Sequence, residues 1–403
     1  MSSPVVVTGI GIISSIGNNL KETTQSLLHK KSGIKPISIL NTRHKDDFVL
    51  GEVKKMLKEL HQLAGTNPKD PWTRTALLGL IAASEAYDDA GLKLSEEYRT
   101  GIVSASTVGG MDRSELYYKD FIGNAEYKKF IDTHHAGDHT EKIAEALGIN
   151  DYLTTISTAC SSSLNSIMFG TRLIKNGVLD QVIVGGSDAL SKFTINGFNT
   201  LMILDKEHCH PFDESRKGLN LGEAAAYLVL EKESEALKKK KKIYAYVSGY
   251  ANANDAHHQT ASSHDGTGPY LAMNHALEKA GLQPAEIDYI NVHGTGTENN
   301  DLTESIALKR LFNDKVPPFS STKAFTGHTL GAAGVIESVF SIIALQEQKL
   351  LPNINFKNKI EETGLVPVTE VKEAKIDHVL TNSFGFGGND SSLIFSYSQK
   401  SEK

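Results

Sequence analysis

The stretch AYDDAGLKLSEEYRTGIVSAST at residues 86–107 has a counterpart, ALEKAGLQPAEIDYINVHGTGT, at residues 276–297. In both, a helical pattern ends in Ala-Gly-Leu, a short acidic linker follows, and a strand runs into a turn of small residues. Ala90 aligns with Ala280, so the copies stand 190 residues apart in a chain of 403. Self-similarity at close to half the chain length implies a duplicated α/β unit. Two unrelated helix-turn-strand units are the alternative, since such units are common in α/β folds. Around the copies, strand patterns such as PVVVTGIG and VLDQVIVGGSDA alternate with helical ones such as TRTALLGLIAASEAYDDAGL. That alternation predicts a largely parallel sheet covered by helices. The five-lysine run Lys238–Lys242 lies between a charged helical stretch and an apolar strand. It sets the expected boundary between an N-terminal half, 1–240, and a C-terminal half, 241–403.

Composition narrows the function. Hydrophobic residues make up 39% and charged residues 22%, the balance of a globular chain with a large core. The formal net charge of −6 gives no global basic field for nucleic acid or anionic membranes. No run of about 18 uninterrupted apolar residues is present, so no membrane insertion is expected. MSSPVVVTGIGIISS lacks the pattern of a secretory signal. Two cysteines without regular spacing fit a reducing compartment, and a cytoplasmic location is expected.

One of those cysteines has an unusual setting. Cys160 lies in STACSSSLNS, after the Thr- and Ile-rich strand pattern DYLTTI and before apolar residues at helical spacing (Leu164, Ile167, Met168). A thiol at a helix N-terminus faces the positive end of the dipole, which favours the thiolate. Ser161 to Ser163 keep that turn small and offer capping hydroxyls. Locally, a nucleophile and a buried structural thiol fit equally well. The chain has fifteen histidines. His293 follows the strand YINV and precedes the turn Gly294-Thr295-Gly296-Thr297, and Asp301 and Glu304 open the next helix. His328 follows a strand ending near Thr322, and NSFGFGGND follows a third, DHVLT. Open α/β sheets place their sites at such strand ends. His208, Cys209 and His210 alternate along an extended segment and would point to opposite faces, so no metal site is expected there.

The ordered set TACSSSLNS, NVHGTGT, STKAFTGHTLGAAGVIE and NSFGFGG resembles the β-ketoacyl-[acyl carrier protein] synthases. The elongating bacterial type II enzymes and related polyketide ketosynthases are the nearest in kind. The resemblance runs from VVVTGIG to SLIFSYS. It implies a thiolase-like fold, two similar halves stacked in α-β-α-β-α layers. By the same resemblance, Cys160 is the acyl-accepting nucleophile, and His293 and His328 act on the malonyl group. Lys323 and Glu337 match the charged residues around them. Phe386 matches a gating residue whose backbone N–H joins that of Cys160 in an oxyanion hole. Thr260, Thr295 and Thr297 match contacts to the pantetheine arm, Val108 an acyl-pocket residue, and Phe384 another substrate contact. Asp301 and Glu304 are taken as supporting residues. Two departures stand out: GFGGND lacks the threonine common before asparagine, and HPFD carries His210 where arginine is usual.

The implied activity is a decarboxylative Claisen condensation, adding two carbons to a fatty acid or polyketide chain. It needs no metal or redox cofactor, since decarboxylation supplies the driving force, and its substrates are carried on the phosphopantetheine of an acyl carrier protein. The implied assembly is a homodimer, or a heterodimer with a chain-length partner. Lys238–Lys242 or Lys128 and Lys129 are candidate docking patches for an acidic carrier. A CoA-dependent thiolase would need a second cysteine as base, and Cys209 has the wrong context for that role. The 133 residues from Cys160 to His293 also suit a papain-like hydrolase, but its characteristic cysteine context is absent.

Overall fold

The computed structural model describes residues 3–398. Ten strands form its main sheet: β1 (Val5–Ser14), β2 (Thr100–Ala105), β3 (Tyr152–Ile156), β4 (Gln181–Asp188), β5 (Ala224–Lys232), β6 (Ala245–Asn254), β7 (Tyr289–Asn291), β8 (Phe319–Ser320), β9 (His378–Gly385) and β10 (Asn389–Ser396). Their spatial order is β8-β7-β9-β10-β6-β1-β5-β4-β2-β3. Read outward from the β1–β6 junction, each five-strand half has the order first, fifth, fourth, second, third. The pairing senses also repeat. In each half the second strand is parallel to both its neighbours, and the other two pairings are antiparallel. Within the sheet, the described residues join the halves through two pairs, Val6 with Tyr246 and Val7 with Ala245.

The repeated sequence is also repeated packing. Helix α1 (Arg74–Asp89) lies on β1 and β5, and helix α3 (Thr267–Ala280) lies on β6 and β10. Gly9 in β1 brings that strand against Ala86 and Ala90; a β-carbon there would sit 2.3 Å from Ala86 O. Gly249 in β6 does the same against Ala276 and Ala280, at 2.2 Å from Ala276 O. Only glycine permits so close an approach of helix to strand.

Two helices fill the middle layer, α2 (Ser162–Lys175) and α4 (Ala333–Glu347), and both touch strands of both halves. Leu164, Ile167 and Met168 meet Val335, Ile336, Val339 and Phe340 in the largest apolar cluster. The architecture is therefore α-β-α-β-α. The stretch Leu330–Glu347 is apolar and long enough to cross a bilayer, but it lies mostly buried inside the protein as a core helix.

The largely parallel sheet expected from the alternation is instead mixed. Residues 386–388 between β9 and β10 leave no room for a crossover, so the strands form an antiparallel hairpin.

Candidate active site

The ends of β3, β7, β8 and β9 deliver Cys160, His293, Lys323 and Phe386 to one place. Cys160 sits between β3 and α2, preceded by Ala159 in the left-handed region at φ +53°. This sharp turn leaves the thiol at the wall of a cavity of about 360 Å³. Thr260, His293, Thr295, Thr297, His328, Phe384 and Phe386 also line that cavity.

His328 Nε2 lies 3.1 Å from Cys160 Sγ. The N–H of Leu330 donates to His328 Nδ1 at 3.1 Å, which fixes the proton on Nε2. On His293, Lys323 Nζ donates to Nδ1 at 3.2 Å, with the same consequence. Lys323 also donates to the His293 carbonyl and pairs with Glu337. Burial first, and then the lysine charge, hold both imidazoles well below their ordinary pKa, so both are neutral. The two rings meet edge to face, with centroids 5.4 Å apart.

Cys160 departs from the thiolate expected at a helix N-terminus. Burial pushes its thiol up to about 11, against the N–H of Phe386, the charge of Lys323 and its own N–H. Those two N–H groups thus lie on the sulfur side of the cavity, beside where the carbonyl oxygen of an acyl group on Cys160 would sit.

The triplet of Cys160, His293 and His328 has ligand atoms within 4.8 Å of one another. The surrounding donors have the wrong polarity for a cation. Metal-bound histidines donate their second N–H outward, whereas here Leu330 and Lys323 donate inward to Nδ1. A lysine charge adds repulsion.

Asp301 and Glu304 lie buried beneath the histidine turn. Glu304 accepts from the N–H groups of His293 (2.9 Å) and Gly294 (2.8 Å) and from Asn382. Asp301 accepts from Thr295 N and Phe212 N. They shape the turn that presents Thr295 and Thr297, whose hydroxyls lie 2.8 Å apart. Val108 does not line the cavity. It packs in the adjoining apolar cluster with Leu190, Ile195 and Leu330, which also contains Phe198 of the cavity wall.

Several features were not anticipated. Asn389 Oδ1 accepts from Ser161 (2.6 Å), Asn165 (2.8 Å) and Asn252 (2.8 Å), anchoring the GFGG turn to the start of α2. Ser161 therefore serves the loop and makes no helix cap. Phe198 stacks on Phe386 with centroids 6.0 Å apart, and exposed Lys217 and Met202 stand at the cavity wall. Cys209 is buried under Gly296, and its thiol is pushed up to about 12 by burial. The lysine run is not an open basic patch. Lys239 and Lys241 pair with buried Glu231, while Lys239 and Lys242 cover the rings of Tyr98 and Tyr244. The run also follows the far end of β5, whose near end adjoins Gly222 and the His328 carbonyl. Nine residues of strand place it roughly 30 Å from the cysteine. Lys128 pairs with Asp132, and Lys129 lies over Phe130.

Comparison with known proteins agrees with this geometry. Residues 2–236 match the β-ketoacyl synthase N-terminal domain and residues 244–357 its C-terminal domain. The chain is 34% identical to 3-oxoacyl-[acyl-carrier-protein] synthase 2 of Coxiella burnetii, over 97% of this chain and 98% of that one. It is 33% identical to the protein of that name from Staphylococcus aureus, over 97% of each. Among solved structures, it superposes on a chain of the ishigamide ketosynthase/chain length factor with a TM-score of 0.93. That match has 31% identity and covers 99% of this chain and 100% of that one. It also superposes on a chain of the Xenorhabdus doucetiae ketosynthase ApeO in complex with its chain length factor ApeC. There the TM-score is 0.87 and the identity 30%, over 98% of each chain. With two matched domains, full-length relatives and a duplicated thiolase-like fold around a cysteine and two histidines, the chain belongs to the β-ketoacyl synthase family of acyl-transferring condensing enzymes.

Proposed function

We propose that the chain is a 3-oxoacyl-[acyl carrier protein] synthase in which Cys160 carries the growing acyl chain and His293 and His328 drive decarboxylation. The carrying observation is the pair of neutral imidazoles with fixed Nε2 protons beside one cysteine.

Cys160 Sγ attacks the acyl thioester, and the carrier thiol leaves with the cysteine proton. The N–H groups of Cys160 and Phe386 stabilise the tetrahedral oxyanion, and one such donor contributes about 3 kcal/mol. Malonyl-carrier follows, its arm passing Thr260, Thr295 and Thr297. As carbon dioxide departs, charge grows on the thioester oxygen, and the two Nε2–H groups donate to it. A neutral donor serves an enolate better than an imidazolium, which would protonate it. The enolate carbon then attacks the acyl group, a carbon–carbon bond forms, and Cys160 leaves as the thiolate and is reprotonated. Loss of carbon dioxide supplies the driving force, so this route requires no metal or redox cofactor.

An acyl carrier protein is the partner this chemistry demands. The cytoplasm is its compartment, a reading supported by kinship with bacterial carrier-dependent synthases. The likeness to two ketosynthase and chain-length-factor complexes favours a second assembly, a heterodimer in which this chain is the active subunit. A homodimer is the simpler assembly. We also read 1–240 and 241–403 as its two halves, supported by the repeated strand order.

The test is to incubate the purified chain with acyl-carriers and malonyl-carrier. The expected result is an acyl adduct on Cys160, located by peptide mass spectrometry, and a product two carbons longer. An adduct without extension, cured by a co-expressed partner, selects the heterodimer. No adduct from any acyl donor on folded protein refutes the reading.

A further inference from the structure

The tautomer of His328 depends on a backbone N–H, and that N–H belongs to a strained residue. Leu330 lies in the left-handed region at φ +56°, where a leucine is a genuine outlier. Something must hold it there. The next residue shows what does: Gly331 N–H donates to Asp188 Oδ2 at 2.7 Å. We infer that Asp188 is a positioning residue for the condensation, holding the Leu330–Gly331 turn so that Leu330 N–H keeps the proton of His328 on Nε2. The inference rests on the proposed role of His328.

Asp188 is built for such a role. It ends β4 with no solvent exposure. Its Oδ1 accepts from Ser106 Oγ at 2.6 Å and Thr107 N at 3.1 Å. Its Oδ2 accepts from Thr107 Oγ1 at 2.6 Å and Thr107 N at 3.0 Å, as well as from Gly331. The carboxylate is thus fixed to one turn, 106–108, and uses the shared oxygen to hold another. The approach is close enough to require glycine: a β-carbon on Gly331 would sit 2.8 Å from Oδ2. The other side of His328 is already fixed, since its N–H donates to the Asn220 carbonyl and its carbonyl accepts from Gly222 N–H. Only the Leu330 side is held by a side chain.

The test compares three variants with the wild-type full chain, using selectively 15N-labelled histidine and the loss of signal in H328A for assignment. The wild type shows Nδ1 unprotonated and Nε2 protonated. In Asp188→Asn, the amide cannot accept on both oxygens, and a second tautomer signal is expected for His328. Malonyl-carrier decarboxylation then falls about tenfold in kcat with KM unchanged, as misaligned donors cost rate rather than binding. Thr107→Val removes one anchor from Oδ2 and shifts the signal in the same direction by less. Ser106→Ala removes an anchor from Oδ1, the oxygen that does not hold Gly331, and shifts both readouts least. If Asp188→Asn does not fold, Thr107→Val decides. A folded Asp188→Asn, or failing that Thr107→Val, with a wild-type His328 signal and kcat overturns the inference. A wild type that does not decarboxylate at all overturns the proposed function instead, and the two failures are distinct.

Discussion

The Sγ of Cys160 and the Nε2 of His328 stand 3.1 Å apart although 168 positions separate them in the chain. One comes from the N-terminal half of the duplicated fold and the other from the C-terminal half. The site therefore exists only where the two halves stack. In the proposed reaction the pair divides the labour: sulfur serves the acyl step, and imidazole the loss of carbon dioxide.

Replacing Cys160 separates those steps. In Cys160→Ala, condensation should fall at least about a thousandfold, since the covalent route is closed. Decarboxylation of malonyl-carrier should persist, because His293 and His328 remain. Product analysis by mass spectrometry reads both: acetyl-carrier forms and the extended product does not. Extension at the wild-type rate would sink the nucleophile assignment.

Why the residues of this pair were visible in sequence, and others were not, follows from locality. Cys160, His293 and the Phe386 turn sit just past apolar strand patterns, and Lys323 and His328 lie within one short segment after β8, so a strand-end reading finds them. The repeated Ala-Gly-Leu segments likewise foretold a duplication that the strand order bears out. Antiparallel pairing was hidden because strand patterns carry no direction. Asp188 and Asn389 were hidden because they act through contacts with residues 143 and 228 positions away. The apparent basic patch at Lys238–Lys242 was misleading for a related reason. A run of charge shows nothing of the buried Glu231 and the Tyr98 ring that occupy it.

Lys323 and Glu337 form a buried pair beneath the histidines, each almost fully enclosed. Burial pushes the Glu337 carboxyl up to about 7, against the pull of the lysine. Lys323→Met strands that carboxyl and should cost about 3–5 kcal/mol of stability. Adding Glu337→Gln should recover most of that cost, because no uncompensated charge remains. Activity should not recover, since His293 Nδ1 has still lost its donor. Thermal unfolding and decarboxylation rates, measured on both variants, check the two halves of this statement. Recovery of both together would reduce Lys323 to a structural role.

Lys217 is exposed at the wall of the cavity that the carrier arm enters in the proposed reaction. Lys217→Glu should raise KM for an acidic carrier several-fold at low salt and leave kcat unchanged. The effect should fade as ionic strength rises and the Debye length shortens to about 8 Å at 0.15 M salt. Reversal of Lys238 or Lys240, at the far end of β5, should change neither quantity. If those far-end variants weaken carrier binding instead, the docking face is misplaced.

Asp390 gives the protein a stability that declines with pH. It is the second residue of β10, the hairpin partner of β9, is almost fully buried, and its Oδ2 has no hydrogen-bond partner. Burial, then the charges of Asp255 and Glu304, push its carboxyl up to about 8 from an ordinary 3.8. Between those values the folded chain holds a proton that the unfolded chain releases. Stability from this group is therefore complete below about pH 4 and is lost as pH rises through about 8. Asp390→Asn keeps the shape and removes the titration, so the variant should gain stability over wild type as pH rises from 5 to 9. Glu304 and Glu337, both pushed up to about 7, carry the same sign but are present in both proteins. The difference between the two melting curves therefore reports Asp390 together with its coupling to Glu304. Asp255 accepts from Ser263 and Gly268, while its own N–H bonds Gly388 O, so its repulsion with an ionised Asp390 falls where the 255–263 loop meets the Phe386 turn. Melting temperatures at four pH values decide the matter: a gap that widens with pH is expected, and a constant gap would show that Asp390 stays ionised throughout.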